Sequence, residues 1–481
     1  MPKEKIITKS DFLIYCRCAK DFWLRKNKPD VYQKQELNLF FQKLIREGYE
    51  VESYAKTLFD DAIFQKQVKV DGGPQSNGVT FYAELDMVRE DTETGKTDIY
   101  EVKSSSGIKT DLAHNHIKDI TFQTVTAERS GMEVGKSFIV HINKDYVKDG
   151  EINQFGLLKV VDVTDRVQEE KEQVSLMMDD ALRIMNKEDV DITHCECIFK
   201  SAGQWCDSFH VLNKDVPEYS VNQIFQKAKL KELIDQKIYD PVDVPEDFTM
   251  TEIQRDKVTL QKLQTPMIDK DSIRKTLDAL VFPIYFFDYE SINKPVPMVD
   301  GYKTNQHLVF QYSLHKLNED GSIEHFEYLA RDMETSTQGM VESLRKNIGP
   351  IGSVIVWHET FEKGRNVELG KLHPEAKDFF AEMNRRIYDL KKVFQKDYLH
   401  PSFKGSASIK KVLPVLLPQL SYKSLNVQDG TMAMSEFERM INPETSEEEK
   451  EIIRENLLRY CELDTFAMVE LYRFLVDLLR E

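Results

Sequence analysis

FYAELDMVREDTETGKTDIYEVKSSS, residues 81–106, decides how the first half of this 481-residue chain folds. Apolar and polar side chains alternate on either side of a polar, Gly-containing turn, the pattern of two antiparallel strands joined as a hairpin. Folding symmetrically about Thr94 and Gly95 sets Asp86 roughly opposite Lys103. Glu101 precedes Lys103 by two residues, so both side chains share one face of the sheet. Two carboxylates and one ammonium then converge on a single patch. Carboxylate oxygens suit Mg²⁺ or Mn²⁺, and a lysine beside them can orient an attacking water, a combination fit for metal-assisted phosphodiester hydrolysis. In an ordinary surface hairpin the same residues make a salt bridge and nothing more.

The flanks sharpen the choice. Upstream, Leu37, Phe40, Phe41, Leu44, Ile45, Val51 and Leu58 recur at helical spacing, and this helix carries GYEVE, Gly48 to Glu52. Downstream, ITFQTVTAERSG reads as a helix bearing Gln123. With ELD and EVK, these segments resemble the RecB-like branch of the PD-(D/E)XK nucleases. The resemblance implies a mixed sheet flanked by helices, with Asp86 and Glu101 as metal ligands and Lys103 and Gln123 as catalytic side chains. Glu52 stands where that branch usually has a histidine ligand, and the tyrosine that often follows the glutamine is absent.

A net charge of −17 argues against a protein that coats nucleic acid through a broad basic surface. A local basic groove remains compatible with it. Hydrophobic content of 41% and charged content of 31% are those of a soluble globular protein, and 481 residues are too many for one core. No apolar run approaches membrane-spanning length, and MPKEKIITKSD lacks the apolar core of a secretory signal. These features predict a cytoplasmic protein without a membrane partner.

In such a compartment, clustered cysteines point to metal rather than to disulfides. Cys195, Cys197 and Cys206 are spaced C-x-C-x8-C, and Cys16 and Cys18 lie near the N-terminus. The layout resembles the iron–sulfur nucleases of the same branch, among them the CRISPR-adaptation exonuclease, with one cysteine before the core and three after it. C-A-K-D-F-W-L places Cys18 in their C-x-K-x-x-W-L pattern, although their trailing spacing is closer to C-x2-C-x5-C. The resemblance implies a [4Fe–4S] cluster on Cys18, Cys195, Cys197 and Cys206. Zn²⁺ on the same thiols and free structural cysteines are the alternatives. Cys461 sits in a helical pattern and reads as core.

LVFPIYFFDYESI, residues 280–292, is apolar on both faces, the mark of a central strand covered on each side. Its end delivers Asp288 and Glu290 to one face, costly in a buried strand unless paired or metal-bound. HLVFQYSLHKL and HFEYLA continue as a meander in which Gln311 and His315 can face the acidic pair or serve as structural residues. GSVIVWHETFEKG is a strand running into a helix. Ser446 and Glu449 form a capping box opening a long helix on which Tyr460 and Asp464, four apart, share a face. In this order the elements resemble the DnaQ-like, RNase H-fold DEDD 3′–5′ exonucleases of the tyrosine-bearing subclass. The resemblance implies that Asp288, Glu290, Glu362 and Asp464 hold two metals while Tyr460 aligns water. His358 and Glu362 replace the usual asparagine and aspartate, and Asp389 is a spare acidic candidate.

The predicted chain is therefore α/β. A RecB-like nuclease domain over 1–212 has a mixed sheet flanked by helices. A helical connector spans 213–278, and an RNase H-like exonuclease domain with a second mixed sheet covers 279–481. The fusion resembles an uncharacterised bacterial family. It implies a metal-dependent nuclease acting on DNA, on single strands or ends, in phage defence, CRISPR adaptation or repair. The alternatives are an RNA exonuclease, or a non-catalytic nucleic-acid-binding scaffold with protein partners in a defence or repair complex.

Overall fold

The computed structural model describes residues 5–32, 38–74, 76–111 and 114–481. Leu37, counted in the predicted helical pattern, lies outside them. Two compact units divide the chain, Met1–Asn38 with Leu44–Gln254, and Leu39–Lys43 with Arg255–Glu481. Both are mixed α/β.

The first unit begins with β1 (Lys5–Thr8), α1 (Lys9–Arg17), α2 (Ala19–Asn27) and α3 (Leu39–Ala55), the last running across the division. The hairpin region supplies β2 (Ile63–Asp71), β3 (Val79–Glu90) and β4 (Thr97–Lys103). Next come α4 (His116–Arg129), β5 (Val134–Ile142), α5 (Gln154–Leu157), β6 (Leu158–Asp162), α6 (Thr164–Met185), α7 (Phe209–Leu212) and α8 (Lys227–Asp235).

β3 organises the sheet because its odd-numbered side chains are buried, Phe81, Ala83, Leu85 and Met87 among them. β2 lies antiparallel along one edge. On the other edge β1 pairs in parallel with Val79–Tyr82, while β4 pairs antiparallel with Met87–Glu90. The sheet forks between those two partners, and β4 continues alongside β5 as far as Lys103 opposite His141.

The hairpin register differs from the symmetric expectation. Met87 pairs with Tyr100 and Glu90 with Thr97, so one step further Asp86 comes opposite Glu101 rather than Lys103. The loop is closed by the Asp91 carbonyl and amide, which bond Gly95 and Lys96, with Gly95 at φ +69°. It is therefore centred nearer Glu93 and Thr94. The shift is two residues, so Asp86, Glu101 and Lys103 keep a common face. Asn153 caps the helical turn of α5 by accepting from the Phe155 and Gly156 amides, and extended backbone begins only at Leu158.

The second unit contains α9 (Glu252–Leu263, beginning at the division), β7 (Met267–Ile268), α10 (Lys270–Asp278), β8 (Ile284–Ile292), β9 (Leu308–Leu317) and β10 (Ile323–Leu329). It continues through α11 (Ser336–Asn347), β11 (Val354–Val356), α12 (Glu359–Leu372), α13 (Lys377–Arg385) and β12 (Ile387–Asp389). It ends with α14 (Lys391–Lys396), β13 (Tyr398–Leu399), α15 (Ile409–Leu416), α16 (Gly430–Ile441) and α17 (Glu447–Leu478). Strand order is β10-β9-β8-β11-β12, with β8 antiparallel to β9 and parallel to β11. β8 is covered on both faces, as its composition predicts. Phe286 and Ile292 pack with Leu457, Met468 and Leu471 of α17, whereas Tyr285, Phe287 and Tyr289 pack with Met340, Leu344 and Leu369. Only Asp288 breaks the run of buried residues.

α17 starts at Ser446, whose hydroxyl accepts from the Glu449 amide. The reciprocal half of the expected capping box is missing, because Glu449 Oε1 instead takes Arg439. Among the described residues no helix is long and apolar enough to cross a membrane.

Candidate metal-binding sites

Three side-chain clusters stand out, two in the first unit and one in the second. The first occupies the fork beside β3. Asp86 Oδ2 accepts from the Val102 amide at 2.8 Å, so a carboxylate fills the ladder where β4 parts from β3. Glu101 is fully buried. Its Oε1 takes the Lys103 ammonium at 2.5 Å and the Lys9 ammonium at 2.6 Å, and Gln123 Nε2 donates to its Oε2 at 2.6 Å. Asp119 accepts from Lys103 at 2.6 Å and from Gln123 at 2.9 Å.

Burial, and next Glu101, push the Asp86 carboxyl well above the ordinary range. Burial would do the same to Glu101, but Lys103 and Lys9 outweigh it and hold the carboxyl below its usual value. Desolvation pulls the Lys103 ammonium down, yet Asp119 and Glu101 reverse this and keep it charged. Glu52 is half-buried on α3, its carboxyl raised by burial and influenced by Glu101 and Lys9. Of the residues singled out in sequence, Lys103 and Gln123 bond Glu101 and Asp86 comes opposite it, whereas Glu52 makes no hydrogen bond to it; two residues that were missed, Lys9 and Asp119, complete the network. Asp119 had a legible signal, lying four residues before Gln123 on one helix face. Lys9 had none, being 92 residues from Glu101.

The second cluster belongs to cysteines. Cys18, Cys195, Cys197 and Cys206 are all buried, with sulfur atoms within 4.8 Å of one another. Cys18 is both the C-cap of α1 and the N-cap of α2, so the kink between helices presents its thiol. Asn213 Nδ2 donates to Cys195 at 3.3 Å and Lys200 Nζ to Cys197 at 3.5 Å. Contact with Cys18 pushes the Cys195 and Cys197 thiols down, whereas Cys18 and Cys206 are pushed up by their sulfur neighbours. Four thiols this close, with two donors aimed at them, can bind a metal ion or a cluster. Cys461 is a buried helix residue apart from them.

In the second unit, Asp288, Glu290 and Asp464 place carboxylate oxygens within 4.8 Å of one another. Glu362 joins from α12, close enough to Asp288 for their carboxyls to share a proton, and its Oε2 has no hydrogen-bond partner. Glu290 is aimed here by a β-bulge, where pairing steps from Glu290–Gln311 to Ser291–Val309. The Tyr422 hydroxyl donates to Asp464 Oδ1 at 2.6 Å. Tyr460 also contacts Asp464, and burial keeps its phenol protonated. Burial raises Asp288, Glu290 and Glu362 well above the carboxylate range, with their acidic neighbours adding to it. Asp464 is raised by burial only to about 6, because Tyr422 and Lys410 oppose the rise. Among the described residues, no lysine or arginine forms an ion pair with any of the four.

Other candidates go elsewhere. Asp389 accepts from the Glu359 and Lys391 amides and so fixes the start of α12. His358 is the N-cap position of α12. Gln311 donates to the Leu457 carbonyl, and His315 bonds Thr465. Tyr422 was missed, since it comes from a short 3₁₀ turn 42 residues from its partner.

A family model described as a domain of unknown function, DUF2779, matches residues 285–408, a span that holds Asp288, Glu290 and Glu362. The uncharacterized protein MG366 of Mycoplasma genitalium is 26% identical over 219 residues, covering 41% of this chain and 32% of that protein. The uncharacterized protein UU173 of Ureaplasma parvum is 28% identical over 220 residues, covering 41% and 31%. The chain thus spans about a third of the length of the curated relatives it matches. A solved structure titled "Crystal structure of SSO0001" aligns with a TM-score of 0.28 and 14% identity, over 43% of this chain and 85% of that one.

Proposed function

We propose that this chain is a metal-dependent nuclease that hydrolyses phosphodiester bonds of DNA, with a RecB-like PD-(D/E)XK site in the first unit and an RNase H-like DEDD exonuclease site in the second. Four converging carboxylates without a paired cation carry this reading. Asp288, Glu290, Glu362 and Asp464 gather like charge in a dry place, an arrangement that divalent cations relieve. An all-oxygen donor set with an orphaned Glu362 oxygen fits Mg²⁺ or Mn²⁺. Asp86 and Glu101, with Glu52 nearby, offer the corresponding donors in the first unit. When bound, such ions neutralise phosphate charge and favour ionisation of water.

The chain's own groups divide the remaining work. Lys103, held charged by Asp119 and Glu101, donates to the attacking water or to the phosphate and does not serve as a base. Gln123 anchors Glu101 and Asp119, fixing the acids that fix Lys103. Tyr460 stays protonated and orients water through its hydroxyl. Hydrolysis adds water across one P–O bond and leaves a 5′-phosphate and a 3′-hydroxyl. The four thiols fit soft metal chemistry, and the C-A-K-D-F-W-L setting of Cys18, rather than the trailing spacing, favours a [4Fe–4S] cluster over Zn²⁺ as a structural clasp.

Labelled single-stranded DNA incubated with Mn²⁺ tests the proposal. Cutting lost in Lys103→Ala and kept in Asp288→Ala assigns it to the first unit, and the converse to the second. Cutting unaffected by either substitution, or absent from the parent chain, overturns the reading. Brown colour on anaerobic purification, lost in Cys206→Ala, separates iron–sulfur from zinc.

A further inference from the structure

His315 and His325 face each other directly across β9 and β10, with ring centroids 4.4 Å apart and planes 23° from parallel. Glu462 approaches from α17, its Oε1 3.9 Å from His325 Nδ1. One ring nitrogen from each histidine and one carboxylate oxygen lie within 4.8 Å of one another. These residues have no part in the nuclease reading.

Two hydroxyls behind the rings engage one nitrogen of each. Thr465 Oγ1 lies 3.1 Å from the Glu462 carbonyl, an obligate acceptor, and so donates to it. Thr465 is then left to accept, from Ser313 Oγ at 2.7 Å and from His315 Nδ1 at 2.9 Å. Ser313 has used its one proton, so it accepts from His325 Nε2 at 3.0 Å. Each hydrogen is used once in this order. In this order His315 Nε2 and His325 Nδ1 are the ring nitrogens left outside the hydroxyl chain. His325 Nδ1 and Glu462 Oε1, 3.9 Å apart, then face the same space.

We propose that His315, His325 and Glu462 form a divalent-cation site of the Zn²⁺ class, distinct from the acidic tetrad. Two neutral imidazoles and one carboxylate are a borderline-soft N₂O donor set, which selects Zn²⁺ over Mg²⁺ and leaves a fourth position for water. Ser313 and Thr465 act as the outer partners that orient ligating histidines. The ion would tie the β9–β10 hairpin to α17 two residues before Asp464, bracing the helix that presents it.

The test loads the full-length chain with Zn²⁺ alone, blocks the thiols with a mercurial, removes free metal and counts what stays bound. His325→Ala and the near-isosteric Glu462→Gln should each lose one equivalent that Asp288→Asn retains. Ser313→Ala, with all ligands present, should weaken binding by about tenfold. Glu462 is half exposed, so Glu462→Gln keeps the reading testable should His325→Ala fold poorly. Unchanged zinc in both ligand variants overturns the proposal and leaves His325 as an imidazolium paired with Glu462. Loss confined to Asp288→Asn also overturns it, by moving the zinc to the tetrad. Because the readout is bound metal, a failed nuclease assay leaves this inference standing.

Discussion

Lys9 shows how much one unforeseen side chain alters a site. With Lys103 it makes Glu101 the shared partner of two ammonium groups, so the first site is balanced without any ion. Glu101→Ala should therefore destabilise the protein by about 3 kcal/mol. That is the low end for a broken buried pair, because the Lys9 side chain keeps 28% of its exposure. Urea denaturation of parent and variant measures it, and a loss below about 0.5 kcal/mol would mean the lysines find other partners. Asp86, Glu101 and Lys103 were legible because alternation along a strand fixes which side chains share a face. Lys9 and Tyr422 were not, since pairings across 92 and 42 residues leave no trace in local pattern.

Helices and strands were legible wherever one period ran long enough. The doubly covered β8, the long α17 and the helix carrying Gln123 all follow from apolar spacing. The hairpin register did not, because a polar loop containing one glycine closes in more than one way, and only burial of the odd-numbered side chains of β3 restricts it to even shifts. The bulge that aims Glu290 is equally silent in sequence. At the head of α17, Ser446→Ala should cost about 1 kcal/mol, the usual value of an N-cap hydroxyl. Glu449→Ala should cost no more than a few tenths, because its partner Arg439 is an exposed ion pair. Thermal melts of the two variants check the difference, and equal losses would restore the full capping box.

At the scale of the whole molecule, the acidic tetrad predicts an unusual response to pH. Asp464 rises to about 6, above an unfolded carboxyl near ~3.9. Across that interval the native state holds a proton that the unfolded chain has released. Stability from this group is therefore full below ~3.9 and is lost as pH rises through 6, about 1.4 kcal/mol per pH unit for each proton so held. Asp288, Glu290 and Glu362 shift in the same direction. Without divalent ions, the melting temperature of the second unit should fall between pH 5 and pH 8, and Mn²⁺ should raise it more at pH 8. Calorimetry with and without Mn²⁺ decides, and an equal shift at both values would sink the tetrad as the binding site.

The four-thiol cluster bears on manufacture as much as on architecture. Its first sulfur belongs to residue 18 and the other three to residues 195–206. At about 5–20 residues per second, a ribosome needs on the order of ten to forty seconds to carry the chain from one to the others. Throughout that interval Cys18 is exposed to oxidants and stray metals with no sulfur partners to bury it. A metal ion or cluster bound by all four thiols could be installed only after residue 206 has emerged, and a chain truncated before it would lack one of the four sulfurs.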